Sequence, residues 1–301
     1  MRKRILLTGS EGVIGQHLKH ILAQRGFEVV PCDIQPSTPG GATDIRARHA
    51  VSEKVRGCHG ILHLAAVSRV AQGEADPARC HTCNIEGTGE LLRAALQQPQ
   101  RPWLLFTSSR EVYGNPLRLP ATEDTPMNPV NVYGHSKVEG EKLVREATLQ
   151  GLRTGIVRLS NVYGSPDDYP DRVIPAFVHA ACHGRDIRVD GPARRFDFTH
   201  IDDVIRGILL MLEALDQGRD VPILQLTSGQ SISLLELAEQ IKVLSQSRSL
   251  IRKTEADAYT VSSFSGTSER ALLHLGWRAQ IALHQGLHSL VNQLSMPGLK
   301  N

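Results

Sequence analysis

No stretch of this sequence is apolar for anything near the ~20 residues that a membrane span needs. The basic start Arg2-Lys3-Arg4 is followed only by Ile5-Leu6-Leu7 before Thr8-Gly9. That is short of the ~7–15 apolar residues of a secretory signal, so the segment reads as a first strand. Charge of one sign is scarce too: the net charge is +3, and no Lys/Arg run exceeds the one at the start. Nucleic acid therefore has no electrostatic footing as a partner. The five cysteines (Cys32, Cys58, Cys80, Cys83, Cys182) are odd in number and lack the spacing of a disulfide framework. Cys80-x-x-Cys83 has no second pair, so free thiols in a reducing, cytoplasmic compartment are expected, with no metal site. Internal repeats and low-complexity tracts are missing as well. What remains is 301 residues, 41% hydrophobic and 22% charged, enough for a sizeable core in one domain or one and a half.

Short strand-like runs at 4–7, 27–30, 61–64, 103–107 and 155–159 alternate with helical patterns. Val13, Ile14, His17, Leu18, Ile21 and Leu22 lie on one helical face. Leu91, Leu92, Ala95 and Leu96 make a second such face, and Val138, Leu143, Val144 and Ala147 a third, which Gly151 ends. The residues around Cys80-x-x-Cys83 read as a loop running into a helix at Asn84. This alternation predicts parallel strands with right-handed crossovers, an α/β doubly wound sheet of Rossmann type. After Tyr163 the rhythm shortens at Pro166, Pro170, Pro175 and Gly184. A helix over 202–215, a strand over 223–226 and a helix from about Ser233 follow. The expected division is a dinucleotide-binding domain over 1–165, to which about 199–228 returns, and a smaller, partly interleaved α/β substrate domain over 166–301.

Thr8-Gly9-Ser10-Glu11-Gly12-Val13-Ile14-Gly15 falls between the first strand and the first helix. Gly9 permits the tight turn, Gly12 lets backbone approach a pyrophosphate, and Gly15 lets helix and strand pack closely. The helix start adds unpaired N–H groups and a partial positive charge for the diphosphate. Asp33 closes the second strand, where an acid accepts hydrogen bonds from the adenosine ribose hydroxyls and repels a 2′-phosphate, favouring NAD over NADP. Asp44-Ile45 either covers the adenine or is a plain loop.

Tyr133-Gly134-His135-Ser136-Lys137 sets a phenol and an ammonium one helical turn apart. A free tyrosine, with a pKa near ~10, is a weak base at neutral pH. A neighbouring ammonium and the positive nicotinamide ring favour the phenolate. The strand 103–107 delivers Thr107-Ser108-Ser109-Arg110-Glu111 at its carboxyl end, the edge where ligands bind in open parallel sheets. Ser109 is the candidate to bond the substrate oxygen that Tyr133 deprotonates, with Ser108 its neighbour.

These pieces stand in order with His63-Leu64-Ala65-Ala66, Asp76-Pro77, Asn84 to Thr88, Val112-Tyr113-Gly114, Arg158 to Gly164, Phe198 to Val204 and Leu275-Gly276-Trp277. Along nearly its whole length the chain resembles the NAD-dependent epimerase/dehydratase family of extended short-chain dehydrogenases. The resemblance implies an enzyme whose bound NAD is recycled within a turnover. Val13, Ile14, Leu64, Ala65, Ala66, Asn84 and Thr107 would line that cofactor. A nucleotide-diphosphate sugar would meet Ser68, Ser108, Ser109, Arg110 and Asn161, with Arg195 or Arg194 on its diphosphate. Tyr133 would take the proton from a sugar hydroxyl, usually at C4, leaving a 4-keto sugar. The resemblance also implies a homodimer, paired through the helices around 91–96 and 133–149.

Several reactions can follow the first oxidation. The dehydratase subfamily carries an Asp-Glu pair where this chain has Arg110-Glu111. An arginine has no proton to give a leaving hydroxide, so dehydration is disfavoured. Glu111 matches a glutamate of UDP-glucuronate-type decarboxylases, and Arg110 suits a substrate carboxylate as well as a salt bridge to its neighbour. A reductase shares every residue, and a dinucleotide-sensing binding protein would have no use for Ser109, Tyr133 and Lys137 together. The expected activity is nucleotide-sugar epimerisation, with decarboxylation or other 4-keto-sugar chemistry as runner-up.

Overall fold

The computed structural model describes residues 2–35, 41–256 and 260–295. Its first half runs β1 (Arg4–Thr8), α1 (Val13–Gln24), β2 (Glu28–Cys32), α2 (Arg48–Val55), β3 (Gly60–His63), α3 (Val70–Ala75), α4 (Pro77–His81), α5 (Gly87–Leu96), β4 (Trp103–Ser109), α6 (Val132–Leu149) and β5 (Thr154–Leu159). A π-helical turn over Thr82–Glu86 joins α4 to α5. Residues 77–86 are therefore helical, not the loop expected around Cys80 and Cys83. Asp76 accepts the Arg79 amide and Pro77 occupies the first turn, a pairing that starts a helix.

The second half continues with β6 (Asn161–Tyr163), α7 (Val173–Cys182), β7 (Ile187–Asp190), β8 (Arg195–His200), α8 (Ile201–Asp216), β9 (Leu224–Leu226), β10 (Ser231–Ser233), α9 (Leu234–Leu244), β11 (Ile251–Thr254), β12 (Ser263–Phe264), α10 (Glu269–Leu275) and α11 (Leu283–Ser295). Six parallel strands form the main sheet in the order β2-β1-β3-β4-β5-β9. This is the expected doubly wound α/β sheet, and its order reverses between β1 and β3, the kind of place where open α/β sheets bind ligands.

Alternation along the strands explains why both faces of the sheet are covered. Ile5, Leu7, Leu62, Leu105 and Val157 point into a core completed by α8, with Ile208, Met211 and Leu212. Leu6, Ile61, Leu104, Phe106 and Ile156 point into the opposite core, closed by Leu91 of α5 and Val144 of α6. A third core holds Phe177, Leu237, Ile241, Leu287 and Leu290 from α7, α9 and α11 around β7 and β8. β8 pairs with β6, β10 and β12, while β7 pairs with β11. Through β9 and α8 the later half of the chain rejoins the main sheet, and β6 carries the chain from β5 across to the smaller one.

Candidate active site

The loop between β1 and α1 is shaped by close approach. Gly9 has φ +70°, and a Cβ there would stand 2.7 Å from the Ala65 nitrogen. A Cβ on Gly15 would stand 2.0 Å from the Gly9 oxygen. Neither position can take a side chain without moving backbone. Gly12 precedes α1 with no side-chain cap, and Val13 and Ile14 are half-buried, so the helix start presents bare amides. Asp33 accepts the Glu11 amide at 2.9 Å and the Gln35 amide at 3.0 Å, which ties the acid after β2 to this loop. The Glu11 carboxylate is met by Lys19 at 2.8 and 3.0 Å, so the loop does not present a bare negative charge. Backbone room, an open helix start and an adjoining acid fit a dinucleotide.

Leu64, Ala65 and Ala66 are half-buried after β3, and the Ala65 amide donates to the Thr8 hydroxyl at 3.2 Å. Ser68 is exposed on the same loop. Asn84 is buried. Its amide accepts from the Val67 nitrogen at 2.7 Å and donates to the Ser136 hydroxyl at 2.8 Å, joining that loop to α6. Asp44 is held by Arg46, whose hydrogen bonds keep its carboxyl below the ordinary range despite partial burial. The Ile45 side chain lies in the cluster under α5, and a Cβ on Gly87 would stand 2.7 Å from it.

Tyr133 sits in the first turn of α6, and that turn is fixed from both sides. Asn131 accepts the Gly134 amide at 2.7 Å, and Glu74 of α3 accepts the Val132 amide at 2.8 Å. The Tyr133 ring is almost wholly buried, and burial pushes its phenol above the ordinary range. The nearby Ser109 hydroxyl and the charge of Arg172 pull the other way, while the Glu111 carboxylate adds to the rise. Lys137 lies one turn on, its Nζ donating to the Thr107 carbonyl at 2.8 Å and standing 5.8 Å from the Tyr133 ring centre. Burial lowers its pKa to about 8. The Thr107 hydroxyl donates to the His63 carbonyl at 2.9 Å. Ser109, Tyr133, Lys137 and Thr107 are thus brought together at the carboxyl end of β4.

Ser108 is not part of that group. It follows Phe106 by two along β4, takes the same face, and donates to Glu141 of α6 at 2.7 Å. Its expected place on the substrate is corrected accordingly. Glu141 also receives both Nε and Nη2 of Arg158 at 2.8 Å. Burial alone would raise the Glu141 carboxyl, but Arg158 and Ser108 outweigh it and hold it below the usual value.

Glu111 and Arg110 form a largely buried ion pair at 2.7 Å, where a surface salt bridge was one expectation. The second Glu111 oxygen accepts from Asn131 at 2.7 Å. The Arg110 guanidinium lies over Phe196 of β8 at 4.9 Å and Phe264 of β12 at 5.8 Å, and reaches Asn161 at 3.3 and 3.4 Å. Its Nη1 is buried with no hydrogen-bond partner. Asn161 also donates to the Asp197 carbonyl at 3.1 Å. Arg195 is corrected away from the site. It precedes Phe196 on β8, takes the opposite face, and pairs with Glu236 at 3.0 Å and the Ser231 carbonyl at 3.0 Å. Arg194 bonds the Thr260 hydroxyl.

Residues that the sequence reading did not assign are Asn131, Glu74, Glu141 and Arg172. Asn131 carried a signal, since it stands one residue before the helix as capping residues do. Arg172 carried none, because its place near Tyr133 depends on the loop before α7, where it pairs with Asp168 at 3.1 Å.

A family model described as the NAD dependent epimerase/dehydratase family matches residues 5–225. A UDP-glucose 4-epimerase of Lactobacillus helveticus is 28% identical over 79% of this chain and 81% of its own length. A UDP-N-acetyl-alpha-D-glucosaminuronate decarboxylase of Bacillus cytotoxicus is 30% identical over 83% of each chain. Among solved structures, MoeE5 in complex with UDP-glucose and NAD superposes with a TM-score of 0.89 at 26% identity, covering 97% of this chain and 98% of its own.

Proposed function

The chain belongs to the NAD dependent epimerase/dehydratase family, and from that membership we propose that it epimerises a UDP-linked sugar at C4 through a transient 4-keto sugar. The observation that carries this reading is the buried Tyr133 phenol with Ser109 nearby and Lys137 one turn away, all at the carboxyl edge of the main sheet. When bound, NAD supplies the acceptor that takes hydride from C4 and returns it. Tyr133 removes the proton from the C4 hydroxyl and later restores it, and Ser109 holds the same oxygen. Burial disfavours the Tyr133 phenolate, so the Lys137 ammonium, fixed by the Thr107 carbonyl, is needed to stabilise it. Gly9, Gly12 and Gly15 with the bare start of α1 hold the pyrophosphate, and Asp33 favours NAD over NADP.

Glu111 has both oxygens engaged by Arg110 and Asn131, and Arg110 occupies the place where a dehydratase keeps an acid. That arrangement favours return of hydride to the other face of the sugar over loss of water. Residues 1–165, with 199–228 returning, serve the cofactor, and 166–301 serve the substrate. Residues 257–259 and 296–301 of that unit lie outside the described residues. A homodimer would form on the outer face of α5 and α6, where Leu92, Leu96, Leu143 and Ala147 line a groove of about 380 Å³. The cysteines are free and no helix among the described residues is long and apolar enough to cross a membrane, which is compatible with a cytoplasmic enzyme. Incubation with UDP-, dTDP-, GDP- and CDP-sugars, read by mass and NMR, tests the reaction. The expected result is an isomer of unchanged mass with no net rise in reduced-nicotinamide absorbance. Loss of water or carbon dioxide would replace epimerisation with the corresponding elimination.

A further inference from the structure

A chain of hydrogen bonds links the two groups assigned to proton removal. The Ser109 hydroxyl, at the end of β4, accepts the Glu111 amide at 3.2 Å, which leaves its own proton to donate. The Glu111 carboxylate accepts from Asn131 Nδ2 at 2.7 Å. The other end of that amide, Oδ1, accepts the Gly134 nitrogen at 2.7 Å, and Gly134 directly follows Tyr133 in the first turn of α6. Only this orientation of the Asn131 amide serves an acceptor at one end and a donor at the other.

The fit around these bonds is close. A Cβ on Gly134 would stand 2.7 Å from the Glu111 carbonyl oxygen and 3.2 Å from Asn131 Oδ1, so the turn carrying Glu111 packs directly against the start of α6. Asn131 is buried, and water has little access to replace either bond. A helix cap asks only for a side-chain oxygen, and serine supplies one as well as asparagine does. The second bond, from the amide nitrogen to Glu111, has no part in capping. It ties the helix start that bears Tyr133 to the turn whose amide orients Ser109.

We propose that Asn131 is a positioning residue for proton removal, holding Tyr133 and Ser109 in one frame by bonding the α6 start and Glu111 with the two ends of one side chain. This rests on the Tyr133 reading above and adds to it a residue that acts through others. The same bond has an electrostatic consequence. Around the Tyr133 phenol, Glu111 and Cys80 of α4 disfavour the phenolate, while Arg172 and the Lys137 ammonium favour it. Glu74 of α3 is engaged by the Val132 amide. Asn131 and Arg110 both offset the Glu111 charge. Without the Asn131 donor more of that charge reaches the phenol, and the phenolate forms at higher pH.

Steady-state kinetics and thermal melting of NAD-loaded Asn131→Ser test this, using the nucleotide sugar that the wild type isomerises. Serine keeps an oxygen for the cap but is too short to reach Glu111 as well. The variant should melt within roughly 5 °C of the wild type. Its kcat should fall by about tenfold or more with KM changed far less, and the rising limb of its kcat–pH profile should move to higher pH. Glu111→Gln, which keeps an acceptor for Asn131 and removes the charge, should move that limb to lower pH, and it serves if the serine variant does not fold. A serine variant with wild-type kcat and an unmoved limb, or a glutamine variant with an unmoved limb, would overturn the proposal and leave Asn131 a helix cap. No turnover of any nucleotide sugar by the wild type would instead overturn the epimerase reading, and this inference with it.

Discussion

Two buried arginines at the ends of neighbouring strands have opposite fates. Arg158, on β5, has all five donors placed: two on Glu141, one on the Tyr113 hydroxyl at 3.0 Å, one on the Glu123 carbonyl at 2.9 Å and one on Met127 sulfur at 3.3 Å. Tyr113 also lies against its face at 4.9 Å. Arg110, just past β4, has a comparable ion pair and comparable rings but an unpartnered Nη1. The difference separates a charge whose every donor the fold pairs from one whose buried Nη1 the fold leaves unpaired. Arg158 and Glu141 lock α6, which carries Tyr133, against β4 and β5. Arg110 stands on the other side of that same junction.

The sharpest way to break the comparison is to unbalance the satisfied pair. Glu141→Ala leaves Arg158 charged and unpaired in the core, and denaturant unfolding should show a loss of about 3–5 kcal/mol. A neighbouring group tests whether satisfied burial, not charge, is what stabilises this layer. His63 lies between the Thr8 and Thr88 hydroxyls at 2.7 and 2.9 Å, and burial lowers its pKa to about 3. The unfolded chain takes up that proton below the ordinary value of about 6.5, so its contribution is whole above that pH and is lost as pH falls toward 3. The window corresponds to roughly 5 kcal/mol, and His63→Gln should flatten this acid limb in pH-dependent melts.

Arg110→Gln keeps a donor for Glu111 and should lower stability by only about 1 kcal/mol in the same unfolding assay. A loss as large as that of Glu141→Ala would make the two arginines alike and erase the distinction. The smallest effect is expected at the exposed pair of Arg25 with Glu213, 2.7 Å apart and about half exposed on each side. Arg25→Ala should move unfolding by no more than ~0.5 kcal/mol.

The alternation of strand and helix was legible because parallel strands buried on both faces write themselves as short apolar runs, as in Ile5-Leu6-Leu7 and Leu104-Leu105-Phe106. The glycine loop and the Tyr133–Lys137 spacing were legible for a related reason: each is a local geometry within one turn or one helical face. Ser108 was misplaced because β4 runs two residues past the expected 107, and only its full length decides which serine faces α6. Arg195 was misplaced because Glu236 and Ser231, its partners, arrive from distant β10 and α9. Asn84 likewise bridges Val67 and Ser136, a junction that pattern along the chain does not encode. Partners distant in sequence, more than the type of residue, separated what could be read from what could not.

Turnover by Tyr133→Phe in the NAD-loaded protein tests the central chemistry most directly, using whichever nucleotide sugar the wild type isomerises. Removing the hydroxyl takes away the proton acceptor and leaves the cofactor loop untouched. The predicted result is a fall in kcat of about 10²–10⁴-fold with NAD still bound. Turnover within a few-fold of the wild type would contradict the assignment of Tyr133 as the base.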